Sequence, residues 1–554
     1  MKEYQTERIR NVVLLGHGGT GKTTLSEAAL FDSGAINRLG RVDDGNTTSD
    51  YDPDEIKRQI SISLSLLPCE WSDHKINLID TPGYADFQGE VKEGVRAADA
   101  ALIVVDAVSG VEVGTDLAWR YADEGGLPRF IFINRIDREN ADFANAVQQV
   151  QARFGKRCIP LQVPLGAQDA FQGVVDLVEQ RAYLGEKAEP SAITEPAGVG
   201  GYREQLIETV AETDDTLLSK YLEGEELSAD ELRAALRAGV CSGSVVPILT
   251  GSAGKNVAVP RLLEALVQYG PSPADRGEIA AQDCGGGELA LKPDPAGPLA
   301  VLAFKTSADP YVGKLTYLRV VSGTLSGDSH VWNANRKEQE RVAQLFCLRG
   351  KTQEQTPKLV AGDIGAVGKL AETLTGDTLC DRAHPVVLPP IGWPIASYRL
   401  AVYPKTKADL DKLGHALARS TEEDPSLHVQ RDTDTNETIL SGLGESHIDV
   451  AAERMKRKYG VEVELVTPRV PYKETVTAKR ESDYIHKKQT GGHGQYARVA
   501  IAIEPLPRGS GFEFVNKIVG GSVPKQYIPA VEKGVHEALI EGVIAHYPLV
   551  DLRV

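Results

Sequence analysis

Residues Gly16 to Thr23 read GHGGTGKT, with the apolar run NVVLLG before them and the helical run TTLSEAALF after them. The pattern G-x-x-x-x-G-K-[ST] between a strand and a helix is a loop that cradles phosphates. Its glycines let backbone N–H groups point at the anion, and the helix N-terminus adds positive potential. Such a loop needs a buried strand to carry it and a helix packed back onto that strand, which implies an α/β layer. Gly16, His17, Gly18, Gly19, Thr20, Gly21, Lys22, Thr23 and Thr24 are the candidate contacts to a nucleotide. Lys22 is placed to reach the β- and γ-phosphates and Thr23 to ligate magnesium. His17 reads as scaffolding of the loop.

Three further stretches follow in order. LIDTPGYADF ends an apolar strand in Asp80, with Gly83 three residues on and Tyr84 next. Asp80 suits the magnesium side of a phosphate site, and the Gly83 N–H suits a γ-phosphate. FINRID places Asn134, Arg135 and Asp137 just past another buried strand. A carboxylate there can accept from the N1–H and exocyclic amine of guanine; adenine lacks that donor pair and would leave the acceptor unpaired. TGSAGKN adds Ser252 and Ala253, whose backbone can contact the guanine oxygen. Together these choose GTP over ATP.

Strand and helix patterns alternate from 10 to 270, which predicts a parallel sheet with crossover helices. Residues 1–158 and 246–275 are expected to form the nucleotide-binding domain, with 159–245 inserted as a subdomain. A Gly/Pro-rich linker follows YGPSPADRGE. Residues 298–383 read as short strands between glycine turns, a small β-barrel. Residues 397–470 read as a split β-α-β layer of the ferredoxin-like kind. In its first helix Leu410, Leu413 and Leu417 are expected to share a face, with Thr406 and Asp409 as caps. In its second, Ile448, Ala452, Met455 and Tyr459 line up and Gly460 ends the run. Residues 471–554 begin a fourth, α+β unit that stops inside an apparent strand, PLVDLRV.

Net charge is −17 from 61 basic and 78 acidic residues, which argues against general coating of nucleic acid. From Pro471 to Val554 there are 11 Lys and Arg against 9 Asp and Glu, a balance of +2 that leaves −19 for the rest. That last segment is the better candidate for RNA. The charged start MKEYQTERIR carries no signal-peptide pattern, no apolar run reaches membrane-span length, and the six dispersed cysteines form no CxxC. A cytoplasmic, monomeric protein without a membrane partner or structural zinc is the expectation.

The order GHGGTGKTT, DTPGYADF, NRID, GSAGKN resembles that of a translational GTPase. ADPYVGKLTYLRVVSGTL, YPKTKADLDKLGHAL, EEDPSLHV, SGLGESH, QTGGHGQYARV and EPLPRGSGFEFVNKIVGG extend the resemblance to elongation factor G over nearly the whole chain. It implies GTP and Mg2+ as cofactors and the ribosome as partner, through rRNA and ribosomal proteins. It also implies contact with tRNA–mRNA through the fourth domain, whose tip loop matches Thr490 to Tyr496. The implied activity is translocation coupled to GTP hydrolysis, with Tyr84, Gly83 and Lys22 at the catalytic positions.

The chain departs from that family in places that matter. The family has histidine where Tyr84 stands, a larger apolar residue at Gly18, and often an aspartate at Gly19. Ser61, in RQISIS, stands where the family's switch threonine senses γ-phosphate through magnesium, so the resemblance makes it a third magnesium ligand beside Thr23 and Asp80; Arg135 replaces a lysine, and His493 an arginine of the tip loop. A phenol with an ordinary pKa of about 10 cannot act as an imidazole near neutrality. Losing such a group costs about 10²–10⁴-fold in rate. The fourth domain is expected to be incomplete and a fifth absent. The alternative expectation is therefore a GTP-dependent ribosome-binding or recycling factor with slow or no hydrolysis.

Overall fold

The structure is a computed structural model that describes residues 2–191, 199–283, 285–309, 313–490 and 492–554. Of the tip loop, Gly491 and the side chains of Thr490 and His493 lie outside the described residues. The chain divides into two compact units. One holds 1–399, 403–429 and 440–464; the other holds 400–402, 430–439 and 465–554.

In the first unit a seven-stranded sheet carries the phosphate loop. Its strands are β1 (Ile9–Leu15), β2 (Ser65–Trp71), β3 (His74–Asp80), β4 (Ala100–Asp106), β5 (Arg129–Asn134), β6 (Cys158–Pro160) and β7 (Val246–Thr250), in the order β2-β3-β1-β4-β5-β7-β6. All neighbours run parallel except β2 and β3. β1, β3, β4, β5 and β7 are buried along their whole length, as near-continuous apolar runs must be when helices cover both faces. The helices that matter below are α1 (Lys22–Asp32), α2 (Pro53–Arg58), α3 (Gln88–Ala97) and α4 (Val113–Glu124). Among the described residues between β6 and β7 the chain adds a four-stranded antiparallel sheet and three α-helices; the last, Ala229–Ser242, starts on a Ser228–Glu231 capping box.

An eight-stranded antiparallel sheet follows, from Ala300–Asp309 to Thr378–Cys380. It closes around Val301, Ala303, Leu318, Val320, Val342 and Leu379. Barrel and nucleotide domain meet through buried ion pairs: Arg319 with Asp99 at 2.9 Å, Lys75 with Asp363 at 2.7 Å, and Lys305 with Glu93 at 3.0 Å. Broken by removal of one partner, such pairs cost about 3–5 kcal/mol, because a charge is left buried alone.

Next come α5 (Lys407–Glu423) and α6 (Glu445–Tyr459), with four strands in the order His428–Arg431, Thr438–Gly442, Tyr398–Pro404, Val463–Val466. α5 starts on the expected box, Thr406 Oγ1 receiving Asp409 N–H, and α6 ends on Gly460 at φ 62°. The expected face of α5 is wrong at one position. Leu410 is 60% exposed, and Leu413, Ala416 and Leu417 form the buried stripe instead. The buried stripe thus starts one turn later, because the spacing 413, 416, 417 covers one side of a helix as well as 410, 413, 417 does.

The second unit carries the long hairpin Arg480–Thr490 and His493–Pro505 and the helix Ile528–Glu541. The terminal strand Leu552–Arg553 is not a raw edge. It pairs with Glu504–Pro505 on one side and Phe512–Glu513 on the other.

Candidate nucleotide site

The loops after β1, β3, β4, β5 and β7 leave the same carboxyl edge of the sheet, where open α/β sheets bind their ligands. Each carries part of the site. Gly16 turns at φ 143°, where a side chain would strike Val104 O at 2.4 Å. The chain then reaches α1, whose first residue is Lys22. The Lys22 ammonium donates to Gly16 O at 3.0 Å and His17 O at 2.9 Å, and burial pulls its pKa down to about 8. Thr20 and Gly19 complete the loop, and Thr24 stands partly exposed in the first turn of α1. The His17 ring accepts the Gly114 N–H at 3.2 Å, so its task is to hold the loop against the start of α4.

Thr23 Oγ1 lies 2.8 Å from Asp80 Oδ2 and 3.0 Å from Ser61 Oγ. Ser49 Oγ donates to the same Asp80 oxygen at 2.7 Å. The three candidate magnesium ligands therefore converge, and Ser61 points inward. Asp80 Oδ1 and both oxygens of Asp50 are buried and make no hydrogen bond among the described residues. Burial raises the Asp80 pKa, and burial with the nearby Asp80 charge raises that of Asp50 to about 7. Two buried carboxylates with bare oxygens beside two hydroxyls are the donor set of a hard divalent cation that takes oxygen ligands. The residues present fit Mg2+, which Thr23, Ser61 and Asp80 would hold with Asp50 beside them.

Sequence reasoning missed Asp50 and Ser49. They sit in GNTTSDYDPDE, which has no strand or helix period to place it. One signal was there. Asp52, Pro53 and Glu55 spell a capped helix start, and α2 does begin on that capping box.

At the other end, Asn134 ties loops together. Its Nδ2 donates to Thr20 O at 2.9 Å, and its Oδ1 accepts from Ala253 N at 3.0 Å and Arg135 N at 2.9 Å. The Ala253 N–H expected at a guanine oxygen is thus donated within the protein. Ser252 is fully buried and its Oγ accepts from Lys255 N. Arg135 turns at φ 68° and pairs with Asp106 at 2.6 Å. Asp137 is partly exposed and its carboxylate makes no hydrogen bond among the described residues.

Gly83 lies on the phosphate loop. A Cβ there would come within 2.4 Å of Lys22 Nζ and 2.7 Å of Gly18 N. The Tyr84 side chain is half exposed and its ring covers Gly18, whose added Cβ would meet Tyr84 Cε2 and Cζ at 3.2 Å. The two departures noted in the sequence are one packing exchange: a ring at 84 fills the room that a side chain at 18 would need.

Four matches cover the chain. The family described as Elongation factor Tu GTP binding domain matches residues 7–272. Those described as Elongation factor G domain 2, domain III and domain IV match 298–382, 393–467 and 468–554. A crystal structure from Thermus thermophilus aligns at a TM-score of 0.83 and 35% identity, over 99% of this chain and 80% of that one. The chain belongs to the elongation factor G family. It combines the GTPase domain with the barrel, the third layer and the fourth domain of an elongation factor G-like translational GTPase.

Within that architecture α6 grips the segment that carries Ser61. Lys57 and Arg58 pair with Glu453 at 2.8 and 3.1 Å, and Arg457 reaches Asp52 and Asp54 at 2.7 Å each. Arg454 donates to Ser63 Oγ, and Asp86, two residues past Tyr84, accepts from Ser446 N at 3.1 Å. Glu453→Lys sets a third cation beside Lys57 and Arg58. It is expected to cost about 1–2 kcal/mol of docking and to speed proteolysis between 52 and 59 roughly five- to thirtyfold. Cleavage at the wild-type rate would show that the clasp does not hold this segment.

Proposed function

We propose that this chain binds GTP and Mg2+ and acts on the ribosome, where GTP hydrolysis is coupled to translocation. The reading is carried by one observation: Thr23, Ser61 and Asp80 share a hydrogen-bonded cluster whose Ser61 segment is clasped by α6. A nucleotide that biases Ser61 and Gly83 also biases the third layer, and Glu90 extends the route. Its carboxylate accepts from Leu64 N at 2.7 Å and pairs with Lys305 of the barrel.

In this reading Lys22 binds and neutralises the phosphates, and the Gly83 N–H orients the terminal one. Bound magnesium supplies charge neutralisation at the transferred phosphoryl group. Asp137 selects guanine, and Arg135, set by Asp106, flanks the base. Tyr84 orders water through its hydroxyl, positioned by the packing on Gly18. The partners proposed are rRNA, ribosomal proteins and tRNA–mRNA through the fourth domain, for a cytoplasmic monomer. No helix among the described residues is long and apolar enough to cross a membrane.

A specific observation favours a second reading. A half-exposed phenol stands at 84, where the resemblance implies an imidazole. The chain would then be a GTP-dependent ribosome-binding or recycling factor that hydrolyses slowly or not at all. Multiple-turnover GTP hydrolysis, with and without 70S ribosomes, decides between them. Strong stimulation is expected if the first holds. Tight GTP binding without stimulated turnover would leave the second.

A further inference from the structure

A cavity of about 450 Å³ opens between the end of α3, the end of α4 and the barrel. Three arginines line it: Arg96 on α3, Arg276 before the linker and Arg319 on the barrel. Their charges are not balanced alike. Arg319 is buried and donates to both oxygens of Asp99 at 2.9 Å. Among the described residues Arg96 Nη2 finds only Pro389 O, at 3.2 Å. Arg276, among the described residues, hydrogen-bonds only to the carbonyls of Gly126 and Gly125, at 2.5 and 3.3 Å.

The other charged groups on the wall are committed elsewhere. Lys92 pairs with Glu124 and lies over the Tyr121 ring, and Glu278 faces Lys292 at 3.7 Å. Asp99 also accepts from Asn11 at 2.6 Å. Among the described residues neither Arg96 nor Arg276 forms an ion pair, and the carboxylate that acts on Arg276, Asp99, is already held by Arg319. Burial lowers the pKa of both and the Arg319 charge lowers both further, while at Arg276 the Asp99 carboxylate offsets part of the fall. Guanidinium forks are built for planar, bidentate recognition of phosphate.

We propose that this cavity is a second anion site, separate from the phosphate loop, and that it binds a phosphate-bearing small molecule between Arg96 and Arg276. The anion would tie the end of α3 to the segment that closes the GTPase domain, at a place where protein carbonyls now stand in for an acid. The shared chemistry is the phosphate group. An inorganic phosphate and a nucleoside phosphate would both present it, and the cavity has room for either.

The test is calorimetric titration of the chain with its main site saturated with GDP, at fixed ionic strength set by chloride. Pyrophosphate and AMP are the two probes. Binding of one probe per chain is expected, by pyrophosphate alone if the source is inorganic, and more tightly by AMP if it is a nucleotide. Arg96→Gln and Arg276→Gln should each weaken that binding about tenfold or more, as loss of a charge-assisted hydrogen bond does, with GDP affinity unchanged. Ala280→Trp takes up cavity volume while keeping all three arginines and should weaken binding as well. Absence of any heat with both probes would overturn the proposal. So would binding that all three variants retain, since the anion would then sit elsewhere.

Discussion

Asp80→Asn is expected to weaken magnesium-dependent GTP binding by about 10²–10⁴-fold, from the roughly 3–5 kcal/mol that removing one partner of a buried charge pair costs. The geometry makes the effect large. Asp80 is 1% exposed at the end of β3, and one of its oxygens already takes two hydroxyls, from Thr23 and Ser49. The other oxygen is bare. An amide in that place offers N–H groups where a cation must lie. Binding should become nearly independent of magnesium, and titration of a fluorescent GTP analogue with and without EDTA measures it. An Asp80→Asn chain that keeps its full magnesium dependence would move the cation to Asp50.

Tyr84→His is expected to raise ribosome-stimulated turnover by about 10²-fold or more, the gain of a group that titrates near neutrality. The packing on Gly18 adds a second expectation. Gly18→Val alone drives a branched side chain into the Tyr84 ring, already 3.2 Å from its Cβ, and should weaken GTP binding. In the Tyr84→His/Gly18→Val pair the smaller ring gives that room back, so the two effects should not add. Single-turnover hydrolysis and GTP affinity for the four chains test both points. Strict additivity would mean that the two residues do not share space in solution. A Tyr84→His chain no faster than wild type would mean that the limit on turnover lies in another group.

Much of the site was legible because it follows from where strands end. A phosphate loop after β1, an aspartate after β3 and an asparagine after β5 arrive at one sheet edge whenever the sheet is parallel, so Lys22, Thr23, Asp80 and Asn134 could be placed together from spacing alone. Asp50 could not. It lies in an irregular segment held by backbone and side-chain contacts to distant residues, and no period in the sequence encodes those. Leu410 shows the matching limit for helices. A stripe of three apolar positions names a face only to within one turn, and the neighbouring helix decides which turn is covered. The exchange between Gly18 and Tyr84 was visible as two departures. That they are one event needed the ring's position, which only three dimensions supply.

Asn134 has a consequence beyond recognition. Its amide spends both ends inside the protein, one on Thr20 and one on Ala253. It is a strut, and it joins the loop that would hold phosphates to the loops that would hold a base. Neither can drift without dragging the other. A ligand arriving at this edge therefore meets a single pre-set jaw, and the entropy of assembling it was spent when the chain folded, before any nucleotide came near.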